Sequence, residues 1–154
     1  MIKLLRVDHR LLHGQVAFAW TGYLGADSIL IANDAVIKDD LRKTTLRLAK
    51  PQGIKLVMKS IEESIQAINE GQTDKYKLFV VVENIHDAYL IASQVSQIEL
   101  VNVGSAKAKP NTKTLSNNVH VLPEEEEMLK KLLEMGKRVE IRTVPSDNPK
   151  YYGG

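Results

Sequence analysis

Leu78-Phe79-Val80-Val81-Val82 is apolar at all five positions. A strand with one face in water alternates apolar and polar residues, so this segment predicts a strand that is buried on both faces. Such strands occur in parallel sheets that helices cover on either side. The segment therefore indicates an interior strand of an α/β sheet.

The rest of the chain alternates between strand-like and helix-like segments. The other predicted strands are short apolar runs at Ile2–Val7, Ser28–Ala32, Lys55–Met58, Leu100–Val103, Val119–Leu122 and Val139–Arg142. Helices are predicted at Gln15–Tyr23, Asp39–Ala49 and Ser60–Asn69, after an Asn84 cap, and from Pro123 to Gly136. This order predicts an α/β fold with an open, doubly wound, mainly parallel sheet and helices on both faces. A ligand site is expected at the carboxyl ends of the strands.

Three local features refine this plan. In the second predicted helix, Leu41, Thr45 and Leu48 share one stripe. Ser105–Asn118 is polar and interrupts the alternation, which predicts a hairpin or another surface excursion. The final residues, Tyr151–Gly154, are expected to form a loose terminus. Because there is no internal repeat and no Gly/Ser linker, residues 1–154 are predicted to form a single domain.

Composition excludes several classes of function. The chain has 44% hydrophobic and 26% charged residues, as globular proteins do, and it has no cysteine for disulfides or thiolate metal sites. No run approaches the roughly 20 apolar residues that span a bilayer, so we expect a cytoplasmic protein without direct membrane insertion. A net charge of +2 and only 5% aromatic residues argue against nucleic-acid binding.

Ionisable residues concentrate between the first predicted strand and the first predicted helix. The segment reads Arg6-Val7-Asp8-His9-Arg10-Leu11-Leu12-His13-Gly14-Gln15. A neutral imidazole such as that of His13 is a nucleophile toward phosphorus and needs no base to remove a proton first. Arg10 offers a planar fork of donors to phosphoryl oxygens, and Asp8 would hold an arginine or the imidazole. The helix start at Gly14 and Gln15 would present free N–H groups to an anion.

Other interpretations of this segment remain open. Charged residues also cluster in surface loops that have no function. His9 and His13 have the i, i+4 spacing of zinc ligands, but no glutamate lies between them and no third ligand is evident. A nucleotide-binding domain would need a glycine-rich phosphate loop after the first strand, and the sequence contains none.

The run RVDHRLLHGQV, at residues 6–16, resembles the signature of IIB components of the mannose-type (mannose/fructose/sorbose) sugar phosphotransferase system. In that family the pattern is Arg-Ile-Asp-Asp-Arg-Leu-Ile-His-Gly-Gln-Val. The likeness continues at Ala32–Asp34, Lys38–Thr44, Pro51–Val57, Val101–Gly104, Val139–Arg142 and Val144–Asp147. It therefore covers nearly the whole chain.

The resemblance implies that His13 carries a phosphoryl group on Nδ1, with Arg6 and Arg10 as supporting arginines and Asp8 as the carboxylate. It implies a protein-N(pi)-phosphohistidine–sugar phosphotransferase in the cytoplasm, without metal or organic cofactor. The donor would be a IIA protein, and the acceptor a sugar held by the membrane components IIC and IID, through which the protein would associate peripherally with the membrane. The alternative is a regulatory binding module of the same fold that docks to a transporter or regulator without transferring phosphate to sugar.

Two departures from the family pattern change its polar residues. His9 stands in place of the second acidic residue, and we interpret it as drift at an exposed loop position. Ser105-Ala106-Lys107 stands where the family usually continues Gly-Met-His after Asn102-Val103-Gly104. This second departure indicates a less usual sugar branch, and the sugar itself is not predicted.

Overall fold

Strands and helices alternate through the computed structural model, which describes residues 1–154. The strands are β1 Ile2–Asp8, β2 Ser28–Ala32, β3 Lys55–Lys59, β4 Leu78–Val82, β5 Leu100–Ser105, β6 Lys113–Ser116, β7 Val119–Val121, β8 Arg138–Ile141 and β9 Lys150–Tyr151. The helices are α1 Gly14–Leu24, α2 Asp40–Ala49, α3 Ile61–Asn69, α4 Ile85–Ala92 and α5 Pro123–Glu134, with a 3-10 turn at Val36–Lys38.

The central sheet has the strand order β3-β2-β4-β1-β5-β8-β9. Every neighbouring pair from β3 to β8 is parallel, and only the edge strand β9 runs antiparallel, against β8. The prediction of an open, mainly parallel sheet is confirmed. β1 lies in the middle of the sheet, between β4 and β5, so its carboxyl end is flanked by two other strand ends.

Helices cover both faces of this sheet, as β4 shows most clearly. Phe79 and Val81 pack with Trp20 of α1 and Leu46 of α2 in one buried cluster. Leu78, Val80 and Val82 pack in a second cluster with residues of α3, α4 and α5: Ile61, Ile68, Ile85, Ala88, Ile91, Leu129 and Leu132. The apolar segment Leu78–Val82 thus contributes side chains to both buried clusters, and the doubly wound arrangement is confirmed.

This winding creates a crevice at the end of β1. The chain leaves β1 toward α1 on one face, whereas it leaves β4 toward α4 on the opposite face. The connection that follows β5 leads to α5, which also packs on that opposite face. In open α/β sheets, ligands bind where neighbouring connections diverge in this way.

The predicted stripe of α2 is wrong. Leu41 and Leu48 are 77% and 83% exposed, whereas Leu46 is buried. The inner stripe of the helix consists of Arg42, Leu46 and Ala49: Leu46 is part of the core cluster, Ala49 packs against that cluster, and Arg42 Nη2 pairs with Glu83 Oε2 at 2.7 Å. Packing of Leu46 in the core therefore sets the rotation of the helix, which the apolar pattern of the sequence misplaced.

Two further predictions concern the segment after β5 and the last residues of the chain. The excursion after β5 contains a hairpin, as expected, but Val119–Val121 pairs with β6 and meets the end of β5 only through a single bridge between Val119 and Ala106. The terminus is not loose: Tyr152 donates its N–H to Val139 O at 2.9 Å and its hydroxyl to Glu126 Oε2 at 2.7 Å. Burial and this carboxylate raise the pKa of Tyr152 to about 12. β9 and Tyr152 thus cover the outer edge of β8.

Candidate active site

The connection between β1 and α1 is held by two leucines. Leu11 and Leu12 are 3% and 6% exposed and belong to the core cluster under α1. Leu11 adopts φ 59°, and its N–H donates to Asp8 O at 2.9 Å, so the chain turns sharply after the strand. Gly14 follows with φ 37°, a backbone conformation that glycine adopts without strain. Anchoring by the leucines leaves His13 at the protein surface, where its side chain is 21% exposed.

Asp8, at the end of β1, is the centre of the site. Its Oδ2 accepts from Arg6 Nη2 at 3.0 Å and lies 2.9 Å from His13 Nε2. Its Oδ1 accepts from the Arg10 backbone N–H at 2.9 Å and from Ser105 Oγ at 3.1 Å. Burial by itself would raise the pKa of Asp8, but the Arg6 charge and these hydrogen bonds outweigh it and lower the pKa below its ordinary value. Asp8 is therefore an ionised carboxylate that only accepts hydrogen bonds.

The ionised state of Asp8 decides the tautomer of His13. An acceptor at 2.9 Å requires that Nε2 carry a proton, and a neutral imidazole has only one. Nδ1 is then left with its lone pair. The contact with Asp8 thus engages Nε2 and leaves Nδ1, on the other side of the ring, without a partner in the protein.

Arg6 is buried, whereas the sequence predicted it beside the phosphoryl group as a supporting arginine. Its side chain is 1% exposed, and Nη1 donates to Asn102 Oδ1 at 2.9 Å and to Arg142 O at 3.3 Å. The guanidinium carbon also lies 5.2 Å from the centre of the Trp20 ring. Burial lowers the pKa of Arg6, although Asp8 and Glu140 oppose this effect. Enclosed in this way, Arg6 holds Asp8 from below and does not face an incoming phosphoryl group.

A buried polar layer lies beneath Arg6 and was missed as part of the site. Asn102 on β5 donates from Nδ2 to Glu140 Oε2 at 2.8 Å and to Arg142 O at 3.1 Å. Asn102 is fully buried and Glu140 is 3% exposed. Each is a polar residue inside an apolar strand. Because a buried polar group needs a hydrogen-bond partner, this pattern in the sequence could have indicated a buried polar contact. Through Asn102 and Glu140, β5 and β8 thus hold the Arg6 side chain of β1 in place.

Gly104 makes room for this arrangement. A Cβ atom at this position would lie 2.2 Å from the guanidinium carbon of Arg6, well inside van der Waals contact. Any side chain at residue 104 would therefore displace Arg6 and, through it, Asp8. This close approach gives a physical reason for a glycine in β5.

Free donors surround His13 on the solvent side. The Arg10 side chain is exposed and makes no hydrogen bond or ion pair within the protein. α1 begins at Gly14 with His13 as its N-cap and without a side-chain cap, and the N–H groups of Gly14 and Gln15 donate to no protein acceptor. A helix start with free N–H groups attracts anions. The structure thus places Arg10, Gly14 and Gln15 in the same short connection as His13.

His9 does not occupy the exposed position that the sequence predicted. It is half-buried, and both its backbone N–H and its ring Nδ1 contact Ser105 Oγ, at 3.2 Å and 2.8 Å. Burial lowers the pKa of His9, and the nearby positive charges add to this effect, while Asp8 opposes it. The imidazole is therefore neutral at neutral pH and is part of the Asp8 network.

The structure also bears on other kinds of site. His9 and His13 contact different partners, and no group of three or more His, Cys, Asp or Glu side chains is assembled as a metal site. An open groove of about 450 Å³ lies between α3 and α4, and His13 is not among the residues that line it. No helix is both long enough and apolar enough to cross a membrane.

A surface histidine with a free Nδ1, oriented by a carboxylate beside a helix start with free N–H groups, is an arrangement suited to phosphoryl transfer. Comparison with known proteins identifies the family. The family model for the IIB component of the sorbose subfamily of the phosphotransferase system matches residues 2–152. The chain therefore belongs to this family and is a phosphoryl-transfer component of such a system.

Individual relatives agree with this assignment. A probable phosphotransferase enzyme IIB component of Streptococcus pyogenes is 37% identical over 140 residues, which cover 88% of this chain and 86% of the relative. The crystal structure of the IIB domain of the sorbose permease from Klebsiella pneumoniae superposes with a TM-score of 0.91 at 33% identity, covering 97% of this chain and 92% of that one. The mannose-specific EIIAB component of Escherichia coli is 30% identical over 96% of this chain and 46% of its own length.

Proposed function

We propose that His13 accepts a phosphoryl group on Nδ1 from a IIA protein and passes it to a sugar held by IIC and IID components. The observation that carries this proposal is the contact between Asp8 Oδ2 and His13 Nε2 at 2.9 Å. It commits one ring nitrogen to the protein and leaves the other as a nucleophile on a side chain that is 21% exposed. Transfer between proteins requires such a group at the surface.

In the accepting step, the Nδ1 lone pair attacks the phosphorus of the donor phosphohistidine. A bond from phosphorus to Nδ1 forms while the bond to the donor nitrogen breaks, and its electron pair returns to the donor ring. The product ring of His13 carries the phosphoryl group on Nδ1 and a proton on Nε2, so it is an imidazolium. The ionised Asp8 carboxylate stabilises that positive charge across 2.9 Å.

In the donating step, a sugar hydroxyl oxygen forms a new bond to phosphorus. The bond from phosphorus to Nδ1 breaks, its electron pair returns to His13, and the hydroxyl proton leaves to solvent. Phosphoryl transfer mainly requires that the protein hold the reacting groups in line and neutralise the negative charge on the phosphoryl oxygens. The enzyme would thus act as a protein-N(pi)-phosphohistidine–sugar phosphotransferase.

The residues around His13 would divide these tasks. Arg10 and the N–H groups of Gly14 and Gln15 are free donors on the solvent side, and we assign them to the phosphoryl oxygens. Asp8 orients His13 and balances the imidazolium. Arg6, which is buried, would act only through Asp8.

The partners would meet this protein at the exposed end of α1. Phe18 lies one turn along the helix from Gly14 and is 66% exposed, so it offers an apolar contact beside the reacting histidine. A IIA unit as donor is supported by the mannose-specific EIIAB relative, whose name joins the two components in one chain. Association with IIC and IID would bring a cytoplasmic protein to the membrane without inserting it. Such contacts between transfer partners are small and weak.

A regulatory module that docks without transferring phosphate is the alternative that the sequence left open. It would be favoured by a missing acceptor or a missing free cation. Here His13, Asp8 and Arg10 are all present, and His13 is oriented for attack. No observation favours the alternative.

The proposal is tested by incubating the protein with phosphoenolpyruvate and the general phosphotransferase proteins, with a matching IIA protein. We expect one acid-labile, alkali-stable phosphate per chain, and none in His13→Ala. His86→Ala is the matched control, because His86 is a surface histidine with a side chain that is 59% exposed and lies outside the site. Full labelling of His13→Ala would overturn the proposal.

A further inference from the structure

Ser105 lies between His9 and the Asp8 carboxylate. Its Oγ is 3.1 Å from Asp8 Oδ1, 2.8 Å from His9 Nδ1 and 3.2 Å from the His9 backbone nitrogen. The pairing of β1 with β5 is irregular at this point, shifting register between Val7 and Asp8 so that Asp8 pairs with Ser105. The irregularity places the serine hydroxyl beside the carboxylate at the end of both strands.

The hydrogen atoms in this cluster can be assigned one by one. Asp8 is ionised and can only accept, so Ser105 must donate its single hydroxyl hydrogen to Oδ1. The oxygen of Ser105 then has lone pairs only for His9, and it accepts from both the backbone N–H and the ring nitrogen. His9 Nδ1 must therefore carry a proton, which leaves the lone pair of the neutral ring on Nε2.

We propose that Ser105 and His9 are positioning residues for phosphoryl transfer, holding the Asp8 carboxylate in the rotation that keeps Oδ2 on His13 Nε2. The inference rests on the proposed function of His13. His9 fixes the direction of the Ser105 hydroxyl, and Ser105 fixes Oδ1, so the two residues act on His13 only through Asp8.

The division of contacts on Asp8 supports this role. Oδ2 accepts hydrogen bonds from Arg6 and His13, while Oδ1 accepts hydrogen bonds from the Arg10 N–H and the Ser105 hydroxyl. Each donor on Oδ1 restricts rotation of the carboxylate about its Cβ–Cγ bond, and Ser105 supplies one of the two. Without the Ser105 hydroxyl, the Arg10 N–H would be the only donor left on Oδ1, and the carboxylate would be held less firmly.

The proposal also gives a role to two residues that depart in polarity from the family pattern. His9 and Ser105 contact each other through their side chains, at 2.8 Å. An ionised acid at position 9 could not donate to Ser105, and it would place a second negative charge beside Asp8. A neutral histidine donates to the hydroxyl and adds no such charge.

Nitrogen NMR of the isotope-labelled protein tests the hydrogen assignment without any phosphoryl transfer. We expect His9 as the Nδ1–H tautomer and His13 as the Nε2–H tautomer at neutral pH. In Ser105→Ala, His9 should lose this preference, and the preference of His13 for the Nε2–H form should weaken because Asp8 is held less firmly. A wild-type His9 in the Nε2–H form would overturn the proposal.

The rate of His13 phosphorylation by a phosphorylated IIA protein tests the consequence for function. Ser105→Ala should lower kcat by about tenfold with little change in KM, since the lost hydrogen bond involves a charged acceptor. Ser105→Thr, which keeps the hydroxyl, should restore the rate, and His9→Asn, which keeps a side-chain donor, should stay closer to wild type than His9→Ala. Thr114→Ala is the matched control, because it removes a hydroxyl 2.9 Å from His120 Nδ1 in the hairpin, away from Asp8.

The outcomes separate this inference from the function on which it rests. If the wild-type protein takes up no phosphate on His13, the proposed function fails. If it does, but Ser105→Ala is as fast as wild type, or Ser105→Thr is as slow as Ser105→Ala, the positioning role is wrong.

Discussion

Four donors meet the two oxygens of Asp8, and the state of His13 follows from them. Arg6, the Arg10 N–H, Ser105 and His13 all donate to a carboxylate that is 1% exposed. The residue types in this loop predicted that Asp8 holds an arginine or the imidazole, and in the structure it contacts both Arg6 and His13. They did not predict that Arg6 is buried while Arg10 is free, because exposure depends on strands that lie far away in the sequence.

Replacing Asp8 with asparagine should slow phosphorylation of His13 by about 100-fold or more, since the amide no longer fixes the Nε2–H tautomer or balances the imidazolium. Single-turnover labelling by a phosphorylated IIA protein measures this rate. Asp87→Asn is the control, because Asp87 also has a histidine beside it, with Oδ1 3.7 Å from His86 Nδ1, but lies outside the site. A normal rate in Asp8→Asn would remove the carboxylate from the mechanism.

The lowered pKa of His9 predicts a dependence of stability on pH. The folded protein resists protonation of this half-buried ring, whereas the unfolded chain binds the proton near its ordinary pKa of about 6.5. The contribution of His9 is therefore fully present above about pH 6.5 and is lost as the pH falls through the lower folded value.

Urea unfolding of wild type and His9→Asn across this range checks the sign of that dependence. The wild-type protein should lose more free energy of unfolding than the variant as the pH falls, because only the wild type has a ring to protonate at this position. Parallel pH profiles for the two proteins would contradict the lowered pKa.

At the scale of elements, the helices and strands that were predicted agree with the structure within one or two residues, because apolar period and capping residues mark them locally, whereas β6 and β9 were not predicted as strands. Ser60 and Glu63 form the capping box that the sequence predicted for α3. The rotation of α2 was not predicted, since it depends on Leu46 packing against residues of other strands and helices. The local sequence pattern therefore predicts where a helix or strand begins and ends, whereas its orientation depends on contacts with residues that are distant in the sequence.

Gly104→Ala tests how tightly β5 and β1 are fitted. The new Cβ would meet the Arg6 guanidinium at 2.2 Å, so we expect a loss of about 1–3 kcal/mol in the free energy of unfolding, together with slower labelling of His13. Gly22→Ala is the matched control: it lies in α1 with nothing within 4 Å, and we expect it to be neutral or stabilising by about 0.5–1 kcal/mol. Equal stability of Gly104→Ala and wild type would contradict the close approach.

At the scale of the whole molecule, the winding of the sheet brings the site together. The order β4-β1-β5-β8 places Asp8, Ser105, Asn102 and Glu140 side by side, although they are separated by up to 132 positions in the chain. Alternation of strands and helices predicted the fold class, but strand order depends on long-range pairing that local sequence does not encode. For this reason the loop chemistry was predictable and the buried layer of Asn102 and Glu140 beneath it was not.

The central claim is that the protein carries its phosphoryl group on Nδ1 of His13 because Asp8 holds Nε2. The most direct test is NMR detection of the phosphorus–nitrogen coupling in the isotope-labelled, phosphorylated protein. We predict coupling of phosphorus to Nδ1 of His13, with Nε2 of the same ring still protonated. Coupling to Nε2 of His13, or to a nitrogen of His9, would contradict the account.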